Sequence, residues 1–342
     1  MNILYLIVRF YVRTGLHLFY KKIHVKGLDN IPKNGAVLFV ANHQNAMMDP
    51  ILIGTENPRT LYFLARASAF KNKIGAKLLN AINAIAIYRV RDGVNSKKLN
   101  EVVFDKCSKL LDKNKSILIF PEGSHSELRK IRSLRAGFTR ITFDYLNKNP
   151  NKEFHIIPIG MNYSNTKDYA REVAIVYGKP ILASQFYDKN DVKKSIGLII
   201  NEVTKSLKEV TVHINNEESY NEILNSISEK EFLTPEITNL KIQNIVLKKD
   251  SKVKNLKKKS KNLFYYLLIL NSIFPFLIWR WLQPKVKQKE FISTAKFSLG
   301  LTVFPLTYFI QTLLVNQFFG NLYALVYVVF CFVIVLLSTK TR

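Results

Sequence analysis

Three long apolar stretches toward the end of the chain constrain its fold most. They are Leu263 to Leu282, Phe297 to Phe319 and Leu322 to Ser338. A helix needs about 20 apolar residues to cross a bilayer, and the second and third stretches approach that length. The sequence therefore predicts that residues 263–342 form a membrane-associated region.

The first stretch differs from the other two. Asn271, Ser272 and Pro275 interrupt it, and the lysine-bearing segment RWLQPKVKQKE follows it. Because lysine-rich flanks tend to stay in the cytoplasm, both of its ends are expected on the cytoplasmic side. We therefore expect a re-entrant or interfacial element, followed by a two-helix hairpin that turns at NQFFGN. Three ordinary spans are the alternative, since charge bias is only a tendency.

Positive charge is concentrated beside these apolar stretches. Lys and Arg outnumber Asp and Glu by 51 to 25, which gives a net charge of +26. Such a charge attracts nucleic acid, anionic lipid or phosphorylated substrates. Residues 248–262 form a basic linker with eight lysines directly before the first apolar stretch. This arrangement is typical of binding to anionic headgroups, so we expect membrane lipids as partners and no nucleic acid.

The first residues of the chain, 1–22, predict an apolar helix that Arg9, Arg13 and His17 interrupt. The segment lacks the unbroken apolar centre and the small-residue cleavage site of a signal peptide. A helix lying in the membrane interface and a core helix of the following domain are both compatible with this pattern.

Between residues 30 and 180, short apolar runs alternate with longer amphipathic segments. The runs are AVLFV, LYFLA, IAIY, ILIF, HIIPIGM and VAIVYG. This alternation predicts an α/β domain with a mostly buried mixed sheet flanked by helices. Residues 191–247 predict a helical extension, with a possible strand at EVTVHI.

The segment NHQNAMMDP follows the first of these apolar runs and contains the first candidate pair. His43 and Asp49 are six residues apart, about 600° around a regular helix, so they do not share one face of a helix. The pattern predicts a loop that carries His43 and a helix that begins near Asp49, which could cap it. A carboxylate in this place can orient an imidazole for general-base catalysis. A simple loop histidine beside a helix cap is the alternative.

A second candidate site follows the strand ILIF. The segment FPEGSHS places Glu122 and Gly123 at a strand end, where a glycine turn exposes backbone N–H groups to an anion. His125 in this turn is either a polar turn residue or a second base. Arginine forks suit phosphate. Basic side chains near both strand ends are Arg89, Arg91, Arg129, Lys130, Arg132, Arg135 and Arg140.

Four segments together resemble the motif blocks of the glycerolipid (lysophosphatidate and glycerol-3-phosphate) acyltransferases, over about residues 20 to 180. They are NHQNAMMDP, AIAIYR, FPEGSHS and HIIPIGMNY. The resemblance implies an acyltransferase domain at residues 23–190, with His43 as the base and Asp49 as its orienter. Pro158 is implied to shape the site. The implied substrate-binding residues are Arg89, Glu122, Gly123 and Ser124.

The resemblance departs from the common pattern in two places. Five residues separate His43 from Asp49, where four are usual, and the longer spacing resembles the fungal glycerol-3-phosphate and dihydroxyacetone-phosphate acyltransferases. Ala84 and Ala86 stand where glycine and proline are usual in the second block. The spacing favours glycerol-3-phosphate or dihydroxyacetone phosphate as the acceptor, with lysophosphatidate as the alternative.

The expected reaction is direct transfer from acyl-CoA or acyl carrier protein, without a covalent intermediate or a cofactor. Cys107 and Cys331 lie far from the motif blocks, and the six histidines show no ligand spacing, so no metal is expected. The expected location is integral to a membrane, with the catalytic domain on the cytoplasmic face. A catalytically inactive protein that binds membrane lipid is a further alternative.

Overall fold

A computed structural model describes residues 3–88, 95–248 and 262–342. The predicted substrate-binding residue Arg89, with Arg91, lies outside the described residues. The same holds for residues 249–261, which are most of the predicted basic linker.

Eight strands form one mixed sheet. Their order is β1-β7-β6-β2-β5-β3-β4, with β8 beside β6. The strands are β1 Lys22–Lys26, β2 Val37–Ala41, β3 Leu61–Arg66, β4 Ala84–Ile87, β5 Ser116–Ile119, β6 His155–Tyr163, β7 Glu172–Tyr177 and β8 Ile181–Leu182. Strand β6 pairs antiparallel with β7 and β8, and the other pairs are parallel. Each of the six predicted runs forms a strand, whereas β1 and β8 have no counterpart in the prediction.

Helices cover both faces of the sheet. They are α2 Met48–Glu56, α3 Lys73–Ala81, α4 Ser96–Asp112 and α5 Gly137–Lys148. Alternate residues of β2 enter two separate cores, since Phe39 lies in one cluster and Leu38 in the other. Burial on both faces explains why the strands are continuous apolar runs. The predicted α/β fold with a mostly buried mixed sheet is confirmed.

Three more helices follow the sheet: α6 Val192–Val210, α7 Tyr220–Ser226 and α8 Pro235–Lys248. The possible strand at EVTVHI is wrong, because α6 runs to Val210 and the next residues join no sheet. There the Val212 N–H donates to Asn162 Oδ1 at 3.0 Å and the Ile214 N–H to the Arg129 carbonyl at 2.8 Å. These partners take the place of a neighbouring strand. The boundary at residue 190 stays a prediction, although α6 buries side chains in the core beneath the sheet.

Helix α1, Ile3–Phe19, packs on the domain with one face. Leu16 and Phe19 are buried, and Arg9 Nη2 donates to the Thr55 carbonyl at 3.0 Å. The opposite face is apolar and exposed, with Phe10 74% accessible. One face thus resembles a core helix, and the other suits a membrane interface.

The C-terminal region contains α9 Leu263–Asn271, α10 Ile273–Leu282, α11 Ile292–Phe319 and α12 Asn321–Lys340. Among the described residues, Lys289–Phe319 and Asn321–Lys340 are long and apolar enough to cross a membrane. They meet at Gly320, whose φ of +88° lies in the left-handed region that glycine adopts freely. The hairpin turn at NQFFGN is therefore present.

Helices α9 and α10 meet at an angle of 89° near Ser272. The bend lies beside the middle of α11, where Ser272 Oγ and the Tyr308 hydroxyl are 2.6 Å apart. The outer ends of both helices return toward the domain: Asn262 hydrogen-bonds Thr341, and Trp279 lies 5.3 Å from Lys296 Nζ. This shape is compatible with the expected re-entrant element and less so with the alternative of three ordinary spans, and the re-entrant element stays a prediction.

The C-terminal helices also pack directly on the sheet domain. Phe297 of α11 is buried in the same core as Phe39 of β2. Lys340 Nζ at the end of α12 donates to the carbonyl oxygens of His17, Tyr20 and Lys21, at 2.8 to 3.0 Å. These contacts fix the height of the domain relative to the apolar helices.

Candidate active site

The parallel strands β2 and β5 bring the first and third motif blocks together. Val40 pairs with Ile119, so the loops that follow both strands leave the same edge of the sheet. The loop after β2 carries His43, and the loop after β5 carries Glu122, Gly123 and Ser124. A hydrogen bond of 2.9 Å from the Ser126 N–H to the His43 carbonyl joins the two loops.

His43 and Asp49 form a hydrogen-bonded pair. His43 Nδ1 lies 2.8 Å from Asp49 Oδ2, and the carboxylate is fully buried. This bond places the Nδ1 proton on the side of the carboxylate, so Nε2 carries the free lone pair. The imidazole is 17% exposed, which leaves one edge open to a substrate. The predicted pair is thus brought together in the geometry of a base and its orienter.

Three further donors hold the Asp49 carboxylate. The backbone N–H groups of Gln44 and Asn45 donate to Oδ2 at 2.8 Å each, and the Tyr163 hydroxyl donates to Oδ1 at 2.5 Å. Because a buried carboxylate costs free energy unless its oxygens accept hydrogen bonds, these donors stabilise Asp49 in its buried position and fix its orientation. Tyr163 comes from β6, 114 residues away. It is the last residue of the fourth motif block, HIIPIGMNY, but spacing did not assign it a contact with Asp49.

Asp49 does not cap helix α2, which corrects the prediction. The helix begins at Met48 after Met47, without a side-chain cap, and Asp49 points back to the preceding loop. Within that loop, Ala46 has a φ of +38°, an uncommon conformation for a residue with a Cβ. This left-handed step lets the longer His43–Asp49 loop close on itself.

Aromatic rings surround His43. The Phe120 ring stacks on it with centroids 4.2 Å apart, and the His125 ring meets it edge-on at 5.7 Å. Phe291, just before α11, contacts the other side of His125 at 5.3 Å. A residue from the C-terminal region therefore borders the site, which the motif blocks did not reveal.

His125 lies between charged groups of three elements. Burial lowers the pKa of His125, and the neighbouring His43 and Arg66 side chains act in the same direction. Glu290 and a hydrogen bond with Gln288 oppose the shift. His125 therefore favours the neutral form, in which it can donate a hydrogen bond without adding charge.

Arg132 braces the turn after β5. Arg132 Nε donates to Glu122 Oε2 at 2.5 Å, Nη1 donates to Ser124 Oγ at 2.7 Å, and Nη2 donates to the Ser124 carbonyl. Burial raises the pKa of Glu122, while Arg132 and His43 lower it. The Glu122 carboxylate thus faces protein donors rather than open space. Gly123 has a φ of +71° and is exposed at the tip of the turn.

The other basic candidates occupy different places. Arg129 is buried, donates from Nη2 to the Tyr163 carbonyl at 2.6 Å, and has its pKa lowered by burial to about 10. Lys130 pairs with Glu217, and Arg140 lies 3.7 Å from Glu101. Arg66, at the end of β3, is close enough to lower the pKa of His125. The sequence prediction did not name Arg66 as a site residue. Its position directly after an apolar run was the available signal.

An imidazole paired with a buried carboxylate lies at the carboxyl ends of the parallel strands β2 and β5, beside a glycine turn. General-base chemistry needs this geometry. Residues 22–162 match the family model described as Acyltransferase. This part of the chain is similar to that family, and the predicted resemblance to the glycerolipid acyltransferases is confirmed.

Two curated relatives are similar to this chain. Glycerol-3-phosphate O-acyltransferase 1 of Saccharomyces cerevisiae is 20% identical over 62% of this chain and 40% of its own length. The chloroplastic 1-acyl-sn-glycerol-3-phosphate acyltransferase LPAT1 of Arabidopsis thaliana is 25% identical over 38% of this chain and 35% of its own length. The chain thus spans less than half the length of these relatives.

Among solved structures, the 1-acyl-sn-glycerophosphate (LPA) acyltransferase PlsC from Thermotoga maritima is similar. Its TM-score is 0.42 at 20% sequence identity, and the match covers 60% of this chain and 80% of that chain.

Proposed function

We propose that this chain transfers a fatty acyl group from an acyl thioester to a hydroxyl of glycerol-3-phosphate or dihydroxyacetone phosphate. The family match supports the reaction class, and the yeast relative named for glycerol-3-phosphate supports the acceptor. The observation that carries the proposal is the 2.8 Å contact between His43 Nδ1 and the buried carboxylate of Asp49.

His43 acts as the general base. Its Nε2 takes the proton of the acceptor hydroxyl as the oxygen attacks the thioester carbonyl. Asp49 stabilises the imidazolium that forms. The carbon–sulfur bond then breaks, and the leaving thiolate takes the proton back from His43. The products are the acyl ester and the free thiol, and the transfer needs no cofactor.

The two neighbouring strand ends hold the acceptor phosphate. Arg66, at the end of β3, is close enough to lower the pKa of His125, and the exposed turn at Gly123 lies two residues before His125 in the chain. An arginine fork suits a phosphate group. Glu122 and Ser124 act through Arg132, which ties them together. A direct contact between substrate and Arg89 is part of the proposal.

In this proposal the protein carries out the reaction while it is held at the membrane. The spanning hairpin holds the domain at the bilayer, and the catalytic domain lies on the cytoplasmic side, where acyl-CoA and acyl carrier protein are found. Anionic headgroups bind the basic linker of residues 248–262.

An acceptor panel tests the proposal. Full-length protein in lipid nanodiscs is mixed with labelled palmitoyl-CoA and either glycerol-3-phosphate, dihydroxyacetone phosphate or lysophosphatidate, and the products are separated by chromatography. We expect product with the first two acceptors and a loss of about 10²- to 10⁴-fold in His43→Ala. Acylation of lysophosphatidate alone would assign the second acylation step. Absence of any product, with palmitoyl carrier protein also tried, would favour an inactive lipid-binding protein.

A further inference from the structure

A cavity of about 1000 Å³ lies between α1 and the C-terminal helices, away from His43. Helices α9, α10, α11 and α12 form its other walls. None of the residues that line it belongs to the candidate active site. Its wall is mostly apolar, with Phe19, Phe297, Phe304, Pro305 and Phe332 among the lining residues.

The end of the cavity near the sheet domain is basic and aromatic. Lys296, Arg280 and Arg342 line this end together with Trp279 and Tyr265. Lys296 Nζ lies 5.3 Å from the centre of the Trp279 ring, and the Arg342 guanidinium lies 5.0 Å from that of Tyr265. Tryptophan and tyrosine concentrate at the level of the lipid headgroups, so this end marks the membrane surface.

The acidic side chain at this end does not cancel its positive charge. Asp168 also lines the cavity, but Arg171 lies 3.0 Å from it. Lys296 donates one hydrogen bond to the Lys167 carbonyl at 2.8 Å, and an ammonium group has two more protons to donate. The net charge that faces the cavity is therefore positive.

The apolar part is long enough for an acyl chain within one leaflet. From Lys296 to Thr312 the cavity follows α11 for sixteen residues, or about 24 Å at 1.5 Å per residue. The hydrocarbon core of a whole bilayer is about 30 Å thick. A headgroup at Lys296 would thus place its acyl chain along Phe304 and Pro305.

We propose that this cavity binds a glycerophospholipid with an anionic headgroup, its phosphate at Lys296 and Arg280 and an acyl chain along α11. Basic pockets between membrane helices are known to select anionic lipids by this chemistry. The proposal concerns a site apart from His43 and does not depend on the acyl-transfer reaction.

Two variants test the two halves of the site. The double substitution Lys296→Gln with Arg280→Gln removes the charge, and Lys287→Gln is the matched control, since Lys287 is exposed and does not line the cavity. Gly300→Leu fills the apolar part, because a Cβ at Gly300 meets no atom within 4 Å. Gly197→Leu is its control on α6, where a Cβ also meets open space.

The measurement is lipid retention by native mass spectrometry. Delipidated full-length protein in detergent is incubated with dioleoyl phosphatidate or dioleoyl phosphatidylcholine. We expect about tenfold more phosphatidate than phosphatidylcholine on the unmodified protein and on both controls. The charge variant should lose this preference, and Gly300→Leu should retain little of either lipid. Equal retention of the two lipids by the unmodified protein, or full retention by Gly300→Leu, would overturn the proposal.

Discussion

Asp49 is the residue on which the candidate base depends. Its two carboxylate oxygens accept hydrogen bonds from the His43 ring, the Tyr163 hydroxyl and the backbone N–H groups of Gln44 and Asn45. All of these groups donate, and both oxygens of a carboxylate accept. An asparagine would replace one of the two acceptors by an amide nitrogen, which donates, and would carry no charge.

We expect Asp49→Asn to reduce acyl transfer by about 10²- to 10⁴-fold, because His43 loses both its orientation and the charge that stabilises its protonated form. The turnover number per folded protein is the measurement, with folding checked by thermal melting. Asp29→Asn, at an exposed position, serves as the control. Unchanged turnover in Asp49→Asn would show that Asp49 does not orient the base.

Residue spacing predicted only the local half of this site. His43 and Asp49 lie in one segment, so their spacing allowed a pair, and the resemblance of the motif blocks implied its roles. Tyr163 and Arg132 reach the site through the strand order and the path of a loop, and their own segments carry no periodic signal. The cap prediction for Asp49 was wrong because its carboxylate contacts His43, the N–H groups of Gln44 and Asn45 and the Tyr163 hydroxyl, and none of these groups belongs to helix α2.

At the scale of elements, the segment before α11 closes one side of the site. Phe291 touches the His125 ring, and Gln288 hydrogen-bonds the same imidazole. We expect Phe291→Ala to lower kcat/KM by about tenfold while membrane attachment stays unchanged, since small displacements of site groups are costly for catalysis.

The control for this prediction is Phe318→Ala, because Phe318 is an exposed phenylalanine near the C-terminal end of α11. Transfer assays in nanodiscs and flotation of the protein with vesicles measure the two properties separately. If both variants behaved like the unmodified protein, the C-terminal segment would have no part in the reaction.

The segment after α6 makes stability depend on pH through His213. Burial lowers the pKa of His213 to about 4, with smaller contributions from Lys208 and Lys130, and its Nδ1 accepts the Ile131 N–H at 2.9 Å. Between pH 6.5 and 4 the unfolded chain binds a proton here that the folded chain does not. Stability should therefore fall as the pH decreases through this window.

His213→Asn preserves an acceptor for the Ile131 N–H and removes the titration. We expect its thermal midpoint to change less between pH 7 and pH 5 than that of the unmodified protein. His155→Asn provides a comparison outside this segment. Equal pH dependence in all three proteins would exclude His213 as the source.

At the scale of the whole molecule, the bend between α9 and α10 determines how often the chain crosses the bilayer. Single cysteines introduced at Asp29, Lys287 and Asn321 report on which side of the membrane each region lies. The native Cys107 and Cys331 are buried and should not be labelled. In sealed vesicles, an impermeant maleimide should label positions 29 and 287 from one side and position 321 from the other. Labelling of 287 from the side opposite to 29 would establish three spans.

The sheet was predictable because its strands are continuous apolar runs of Val, Ile and Phe. Strand β1 was missed, since its sequence KIHVK contains three charged or polar residues and only pairing with β7 explains it. The place of α1 was also open, because its sequence is apolar on the face that packs and on the face that does not. The contacts of Lys340 with His17, Tyr20 and Lys21 connect residues more than 300 positions apart, beyond any local pattern.

The contact between Phe291 and His125 has a kinetic consequence. The proposed base lies near the start of α11, a helix long and apolar enough to cross a membrane. If α11 spans the bilayer, the height of the base above the lipid is fixed. Encounters with a membrane-dissolved acyl chain are then two-dimensional. The turnover should follow the mole fraction of that chain within the bilayer, and adding inert lipid at constant total donor should slow the reaction by surface dilution.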